Sequence, residues 1–208
     1  MPRVLAIYAG RGGTLATSTG VVATAIAKSP VRGRVRIDRD GLPGDEQIYP
    51  THGGPDRALC VYPQEHYAHW DARVVPAFGE NITAKGVLED ETLIGDLWRI
   101  GSAVVQVSQP RSPCAKVAAR LAIPDLVMQA RRARFTGMHL RVLEPGELAA
   151  GDAIEPLERA AHGITVADAV TARFAPAPPR ELVAAVLAVP ELAGEWRAKT
   201  APRLARAA

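Results

Sequence analysis

The stretch Ala103-Val-Val-Gln-Val-Ser-Gln-Pro-Arg-Ser-Pro-Cys114 joins an alternating apolar segment to a loop that holds two prolines and a cysteine. The alternation over residues 103 to 107 predicts a strand, and Pro110 is predicted to end it. Because proline is favoured at the first position of a helix, Pro113 predicts a helix over residues 113 to 121. The cysteine would therefore lie where a strand meets the N-terminus of a helix.

Cys114 is the residue of this stretch that could carry chemistry. Unpaired N–H groups and the helix dipole favour a thiolate at a helix N-terminus, and Arg111 adds a fixed positive charge nearby. A thiolate in such a position is a nucleophile, a sulfur carrier or a ligand for a soft metal. The alternative is a small, buried apolar residue without a chemical role.

The bulk composition is that of one soluble globular core. The chain has 208 residues, 48% of them hydrophobic and 23% charged, which is ordinary for such a protein. No apolar run approaches the ~20 residues of a membrane span, and the N-terminus lacks a signal-peptide pattern. Two cysteines, Cys60 and Cys114, make neither a disulfide framework nor a four-thiolate cluster. These features predict a cytoplasmic protein that does not contact a membrane.

The net charge of +3 resides entirely in the C-terminal part of the chain. Residues 159 to 208 hold 7 Lys/Arg and 4 Asp/Glu, whereas residues 1 to 158 hold 18 of each. Nucleic-acid binding usually requires a clustered basic face with stacking aromatics, and aromatics are 5% of this chain. We therefore expect no nucleic-acid partner.

Residues 1 to 158 are predicted to form a mainly β domain, and residues 159 to 208 a helical extension. Many short strands between Gly, Pro and Asp turns favour a barrel. The predicted strands are Val4–Tyr8, Gly20–Ala27, Arg34–Ile37, Arg57–Tyr62, Leu97–Ile100, Ala103–Ser108, Met138–Leu143 and Ala153–Ile154. The predicted helices are Pro63–Arg73, Pro113–Leu121, Pro124–Arg134, Val166–Phe174, Arg180–Val189 and Pro190–Lys199.

Polar loops supply further candidates. Two glycines, a histidine and an arginine make residues 51 to 59 suited to an anion, the alternative being a hairpin loop with Asp56 paired to Arg57. Lys28 and Ser29 mark the end of a strand. Asn81, in a polar turn, could hydrogen-bond the edge of a heterocycle.

Two histidines, His66 and His69, are three residues apart in a predicted helix, a spacing at which both could contact a metal ion. No third ligand is obvious, and Tyr67 and Trp70 favour ordinary packing of an amphipathic segment. Cys60 is predicted to be a buried strand residue.

With these residues identified, the chain resembles the MOSC family, named for the C-terminal domain of molybdenum cofactor sulfurases, and within it the YiiM-like branch. The resemblance spans residues 20 to 155, and residues 163 to 196 resemble the short three-helix extension of that branch. The segments that carry it are Gly44-Asp-Glu-Gln47, His52-Gly-Gly-Pro-Asp-Arg57, Phe78-Gly-Glu-Asn81, Ile94-Gly-Asp96 and Gln109-Pro-Arg-Ser-Pro-Cys114.

The resemblance implies a β-barrel that binds the pterin-based molybdenum cofactor (molybdopterin with Mo). Cys114 would be the catalytic residue and the ligand of the metal. The implied reaction is the reduction of N-hydroxylated compounds, including hydroxylamino-purines. The residues implied to bind the cofactor, by motif position and from the polar loops, are Lys28, Ser29, His52, Arg57, Asn81, Arg111 and Ser112.

An oxidoreductase of this kind needs an electron source that the sequence lacks. The two cysteines exclude a built-in iron–sulfur module, and flavin, nicotinamide and pyridoxal phosphate are not expected as cofactors. An external reductase or electron-transfer protein is therefore the expected partner, and a homodimer is compatible with the sequence. The alternative function is a non-redox sulfur carrier or cofactor-binding module that uses Cys114 as a persulfide or an anchor.

Overall fold

The computed structural model describes residues 1–49 and 53–207, which contain twelve strands and five α-helices. The strands are β1 (Arg3–Ala9), β2 (Gly13–Thr17), β3 (Gly20–Thr24), β4 (Ser29–Pro30), β5 (Val35–Ile37), β6 (Leu59–Pro63), β7 (Ile82–Lys85), β8 (Leu97–Ile100), β9 (Ala103–Pro110), β10 (Met138–Glu144), β11 (Gly146–Leu148) and β12 (Ile154–Glu158). The helices are α1 (Ala115–Leu121), α2 (Leu126–Ala133), α3 (Val166–Phe174), α4 (Arg180–Ala188) and α5 (Gly194–Leu204). Within those ranges, every helix is too short or too polar to cross a bilayer.

Eight strands form one curled sheet in the order β12-β8-β9-β10-β6-β7-β1-β4, and the pairing is antiparallel except between β6 and β7. At the far side of the curl, Arg3 forms a bridge with Ala153, and the Val4 amide donates to the Asp152 carbonyl at 2.9 Å. The start of β1 is thus hydrogen-bonded to the segment that leads into β12. The mainly β, barrel-type fold that the sequence predicts is confirmed.

Strand β9 lies near the middle of this sheet and is buried on both faces. All of its residues except Gln106 are buried. An alternating pattern predicts burial of one face only, whereas this strand is covered on both faces. The extra cover comes from the C-terminal helices, since the Ala193 amide donates to the Ser108 carbonyl at 3.0 Å. The loop that follows β9 is therefore held between the barrel and the helical extension.

The helix start after β9 differs slightly from the prediction. Pro113 is not the first residue of α1; Cys114 is its N-cap, with extended backbone angles of φ −123° and ψ 170°. The chain stays extended because the Arg111 amide donates to the Gly137 carbonyl at 2.9 Å, which prolongs the contact with the chain before β10. The cysteine thus lies at the strand-to-helix junction that the sequence predicts, one position outside the helix.

The helix predicted over Pro63–Arg73 is wrong. Pro63 is the last residue of β6 and pairs with Ala84 of β7, and two short 3-10 helices, Gln64–His66 and Ala68–Trp70, follow it. Pairing in the sheet overrides the local helical pattern. His66 is buried, with its Nε2 2.7 Å from Glu89 Oε2, and no metal-binding cluster of His, Cys, Asp or Glu occurs among the described residues.

The C-terminal helices pack onto the barrel and share its core. Thr165 caps α3 in a reciprocal arrangement with Asp168, in which each side chain accepts from the other residue's backbone amide. Val166, Val186 and Trp196 are buried in the same apolar cluster as the barrel strands. The apolar face of the extension is therefore covered by the barrel of its own chain.

Candidate functional site

A cavity of about 340 Å³ opens between the barrel loops and α5. One wall is formed by the end of β9 and the loop behind it, another by residues 45–49 and 78–81, and a third by the C-terminal helices. The predicted residues that line it are Lys28, Arg57, Asn81, Arg111, Ser112 and Cys114. The structure thus brings together six of the eight residues that the sequence singles out.

The other two candidates differ from these six. Ser29 is exposed in β4, where it pairs with Ala9, and it does not line the cavity. Its neighbour Lys28 lines the cavity, whereas Ser29 is part of the short strand that pairs with the end of β1. His52 lies outside the described residues, so its role stays a prediction.

Cys114 and Cys60 both line the cavity, but in different environments. Cys114 is partly exposed at the N-cap of α1. Cys60 is buried in β6, and burial raises the pKa of its thiol to about 11, with Arg111 opposing the shift. At neutral pH the Cys60 thiol therefore stays protonated, and Cys114 is the better placed of the two to act as a nucleophile or metal ligand.

Asp45 organises the barrel side of the cavity. Its Oδ1 accepts from the Gly10 amide at 2.7 Å and forms an ion pair with Lys28, and its Oδ2 accepts from Asn81 Nδ2 at 2.8 Å. The Lys28 and Asp45 side chains are only 9% and 12% exposed. The carboxylate thus joins two predicted binding residues that are far apart in the sequence.

The Asn81 side chain is largely engaged with the protein itself. Its Nδ2 donates to Asp45 and, at 3.3 Å, to the Tyr8 carbonyl, while its Oδ1 accepts from the Cys60 amide at 3.0 Å. Both amide hydrogens are therefore used. Contact with a heterocycle would have to use the second lone pair of Oδ1, so the structure gives Asn81 mainly a bracing role.

Arg111 is fixed by the loop before β7 but keeps one nitrogen unpaired. Its Nη2 donates to the Phe78 carbonyl at 2.6 Å, and its guanidinium carbon lies 5.6 Å from the centre of the Phe78 ring. Its Nη1 is buried without a hydrogen-bond partner among residues 1–49 and 53–207. A buried guanidinium nitrogen that faces a cavity in this state is suited to an anionic ligand.

Two more buried polar atoms in the cavity lining lack a partner among the described residues, Gln109 Oε1 and Trp196 Nε1. These side chains are 2% and 1% exposed. Since buried polar groups are normally hydrogen-bonded, the acceptor of Gln109 and the donor of Trp196 indicate that a polar ligand or ordered water completes the site.

Arg57 makes an ion pair across the cavity with helix α5. Its guanidinium contacts Glu195 of α5, which also contacts Lys199. Asp56 instead accepts from Arg141, at 2.9 Å from Nε and 2.6 Å from Nη2. The pairing of Asp56 with Arg57 that a plain hairpin loop would show is therefore not what the structure contains.

The sequence interpretation missed the contribution of the helical extension. That extension was expected to carry none of the ligand-binding positions, yet Arg173, Glu195, Trp196 and Lys199 line the cavity. The spacing of Glu195 and Lys199, four residues apart on one helical face, was a visible sign of an ion pair. No pattern in the neighbouring sequence connected either residue to Arg57, which lies 138 positions from Glu195. With these residues, cations outnumber carboxylates in the described lining, so the cavity favours an anionic ligand.

Comparison with known proteins agrees with this architecture. Residues 49–155 match the MOSC domain, and residues 164–207 match the YiiM-like three-helix domain. The chain is 37% identical over 201 residues to YflK of Bacillus subtilis, covering 94% of this chain and 91% of that protein. It is 41% identical over 155 residues to YiiM of Escherichia coli, covering 70% of this chain and 69% of that protein.

Two further matches extend the comparison. A protein of Gibberella moniliformis named a reductase is 34% identical over 149 residues, which cover 67% of this chain but 27% of that protein. The crystal structure of YiiM from Geobacillus stearothermophilus superposes with a TM-score of 0.81 at 30% identity, and covers 98% of this chain and 100% of that one.

Proposed function

The chain belongs to the MOSC domain family and carries the YiiM-like three-helix domain, and on this premise we propose that it binds the molybdenum cofactor and reduces N-hydroxylated compounds. The observation that carries the proposal is the composition of the cavity. A partly exposed thiol, a surplus of cations and three unpartnered polar atoms line a single space of about 340 Å³.

The residues present fit this cofactor by their chemistry. A thiolate is a soft ligand of the kind that binds molybdenum, and Cys114 would supply it. The cofactor's phosphate needs charged donors, which Arg57, Arg111 and Lys28 would provide. Its pterin has N–H donors on its edge, from which the unpaired Oε1 of Gln109 would accept. When bound, the cofactor would supply a metal centre that accepts and delivers two electrons.

The protein's own part in the reaction would be to hold and orient the bound groups and to exclude water from them. Arg111 is fixed by Phe78 and would hold an anionic oxygen in one position relative to Cys114. The C-terminal helices supply part of the cavity wall, which would limit access of water to the reacting group. The partly exposed Cys114 would be accessible to the N-hydroxylated substrate.

Electrons would come from a separate protein. The reductase-named relative from Gibberella moniliformis has nearly three quarters of its length outside the matched region. In that relative the matched region is therefore joined to further chain. For this chain we propose an external reductase or electron-transfer protein. We propose that the small N-hydroxylated substrate and this electron donor are its partners.

The test is reconstitution of the full chain with molybdenum cofactor, followed by metal analysis and an assay with a reduced dye and an N-hydroxylated base. We expect stoichiometric molybdenum and turnover in the native chain. Cys114→Ala should lose more than about a hundredfold in activity and release metal, since even residues that only support a metal ligand contribute 10–100-fold. Cys60→Ala is the matched control and should retain both metal and turnover. Full turnover by Cys114→Ala would refute the assignment.

A sulfur carrier is the second candidate, because Cys114 is partly exposed and could hold a persulfide. The same preparation separates the two functions. Sulfane sulfur on Cys114 without bound molybdenum would favour the carrier, whereas stoichiometric molybdenum favours the reductase.

A further inference from the structure

Helix α5 places three functional groups on the cavity within about one turn. Glu195, Trp196 and Lys199 all line it, together with Arg173 from the last turn of α3. Glu195 and Lys199 are four residues apart and form an ion pair along the helix. The extension therefore brings both charges and a hydrogen-bond donor to a site whose other walls belong to the barrel.

Glu195 links the two parts of the molecule. Its carboxylate contacts Arg57 of the barrel loop and Lys199 of its own helix. The hydrogen bond from Lys199 lowers the Glu195 pKa, desolvation opposes it, and the charge of Arg57 lowers it further, so the group is ionised at neutral pH. Its side chain is nonetheless 40% exposed, so it can turn out to solvent without being buried unpaired.

The positive charge around Glu195 exceeds what one carboxylate neutralises. Arg173 stacks on the Trp196 ring at 4.4 Å and on the Phe174 ring at 4.9 Å. No carboxylate among the described residues lies within ion-pair distance of it. Beside these cations, the buried indole Nε1 of Trp196 has no acceptor among the described residues. Among the described residues, Glu195 is thus accompanied by Arg57, Lys199 and Arg173, and by the unpaired indole donor of Trp196.

We propose that Arg57, Arg173, Lys199 and Trp196 form a phosphate-type anion subsite, and that Glu195 is an internal counter-ion which the ligand displaces. A phosphate carries more charge than a carboxylate and offers three acceptor oxygens. It can therefore replace Glu195 on Arg57 and Lys199 and also accept from the Trp196 indole. The inference deepens the proposed function and rests on it only for the identity of the molecule that bears the phosphate.

The test is calorimetric titration of inorganic phosphate and pyrophosphate into the full, cofactor-free chain at low ionic strength. Glu195→Gln removes the competing charge and should bind pyrophosphate about three- to tenfold more tightly than the native chain. Lys199→Met should bind it about tenfold more weakly, which corresponds to one charge-assisted hydrogen bond at ~1.4 kcal/mol per tenfold. Trp196→Phe keeps an aromatic ring beside Arg173 but removes the indole donor, and should weaken binding about threefold or more.

Matched controls lie outside the cavity. Glu181→Gln on α4 and Lys85→Met at the end of β7 make the same charge changes at exposed positions. They should leave the affinity within twofold of native, and circular dichroism should show that each variant is folded. Unchanged or weaker binding by folded Glu195→Gln would overturn the counter-ion role. Equal loss in Lys199→Met and Lys85→Met would overturn the subsite.

A second arm identifies the source of the phosphate. The titration is repeated on chain reconstituted with molybdenum cofactor. If phosphate no longer binds, the cofactor's own phosphate occupies the subsite; if it still binds, the subsite serves a phosphate on the substrate. Because the first arm uses no metal or redox assay, its outcome does not depend on whether the proposed reduction occurs.

Discussion

The cavity has two walls that hold their charges in different ways. On the barrel side, Lys28 and Asp45 form an ion pair that is about nine-tenths buried, and Asp45 also accepts from the Gly10 amide and from Asn81. On the helical side, Glu195 pairs with Arg57 and Lys199 while 40% of its side chain is exposed. A buried, multiply bonded carboxylate costs a great deal to move, whereas a partly exposed one moves cheaply.

From this difference we infer that the two walls have different roles in ligand binding. The barrel wall fixes the position of a ligand, because its groups are arranged before the ligand arrives. The helical wall adapts, because its carboxylate can exchange with an incoming anion. Three measurements would test this difference between the two walls.

The largest effect is expected from Asp45→Asn. The substitution leaves the buried Lys28 ammonium without its counter-charge, and breaking a buried pair by removing one partner costs about 3–5 kcal/mol. Urea unfolding followed by circular dichroism measures the loss. Lys28→Met in the same background removes the orphaned charge and should recover part of it. A loss under about 1 kcal/mol would show that the barrel wall is no more fixed than the helical one.

An intermediate effect is expected in thiol labelling. Raising the Cys60 pKa from 9.0 to about 11 lowers its thiolate fraction about a hundredfold near pH 8, since each pKa unit is a factor of ten. Burial slows the reaction further. Iodoacetamide labelling followed by mass spectrometry should therefore modify Cys114 in the native chain, and Cys60 only after denaturation. Comparable native labelling of both would mean that the barrel wall opens readily.

The smallest effect is expected from Glu195→Gln on stability. At pH 7 its exposed ion pairs should contribute less than about 1 kcal/mol to the free energy of unfolding. Folding lowers the Glu195 pKa, so this contribution is present above the usual carboxyl value of 4.5 and is lost as pH falls through the lowered value. Unfolding of both chains at pH 7 and pH 3 tests this. A gap that persists at pH 3 would contradict an ionic origin.

Local patterns were sufficient for much of the fold and for the position of the thiol. The alternation over β9, the prolines behind it and the threonine before α3 each act on neighbouring residues, so their consequences can be predicted without tertiary structure. The same reasoning failed at Pro63–Arg73, where pairing between β6 and β7 decides the conformation. There a contact between distant strands outweighs the helical pattern.

The site was only partly predictable, because its charges pair over long sequence distances. Asp45 lies 17 positions from Lys28, and Glu195 lies 138 positions from Arg57. No periodicity connects such residues. The unpartnered atoms of Gln109 and Trp196 likewise become visible only when folding has buried them. Sequence reasoning found the residues of the barrel loops and missed the wall that the extension supplies.

The hydrogen bond from the Ala193 amide to the Ser108 carbonyl also sets an order of events during synthesis. Ser108 and the Cys114 loop leave the ribosome well before α5 is made. Until Ala193 arrives, the cavity lacks one wall, and Arg57 lacks its partner Glu195. A nascent chain therefore displays the cysteine loop first and completes the cavity last, so a ligand that contacts the α5 wall can bind only after that helix has been made.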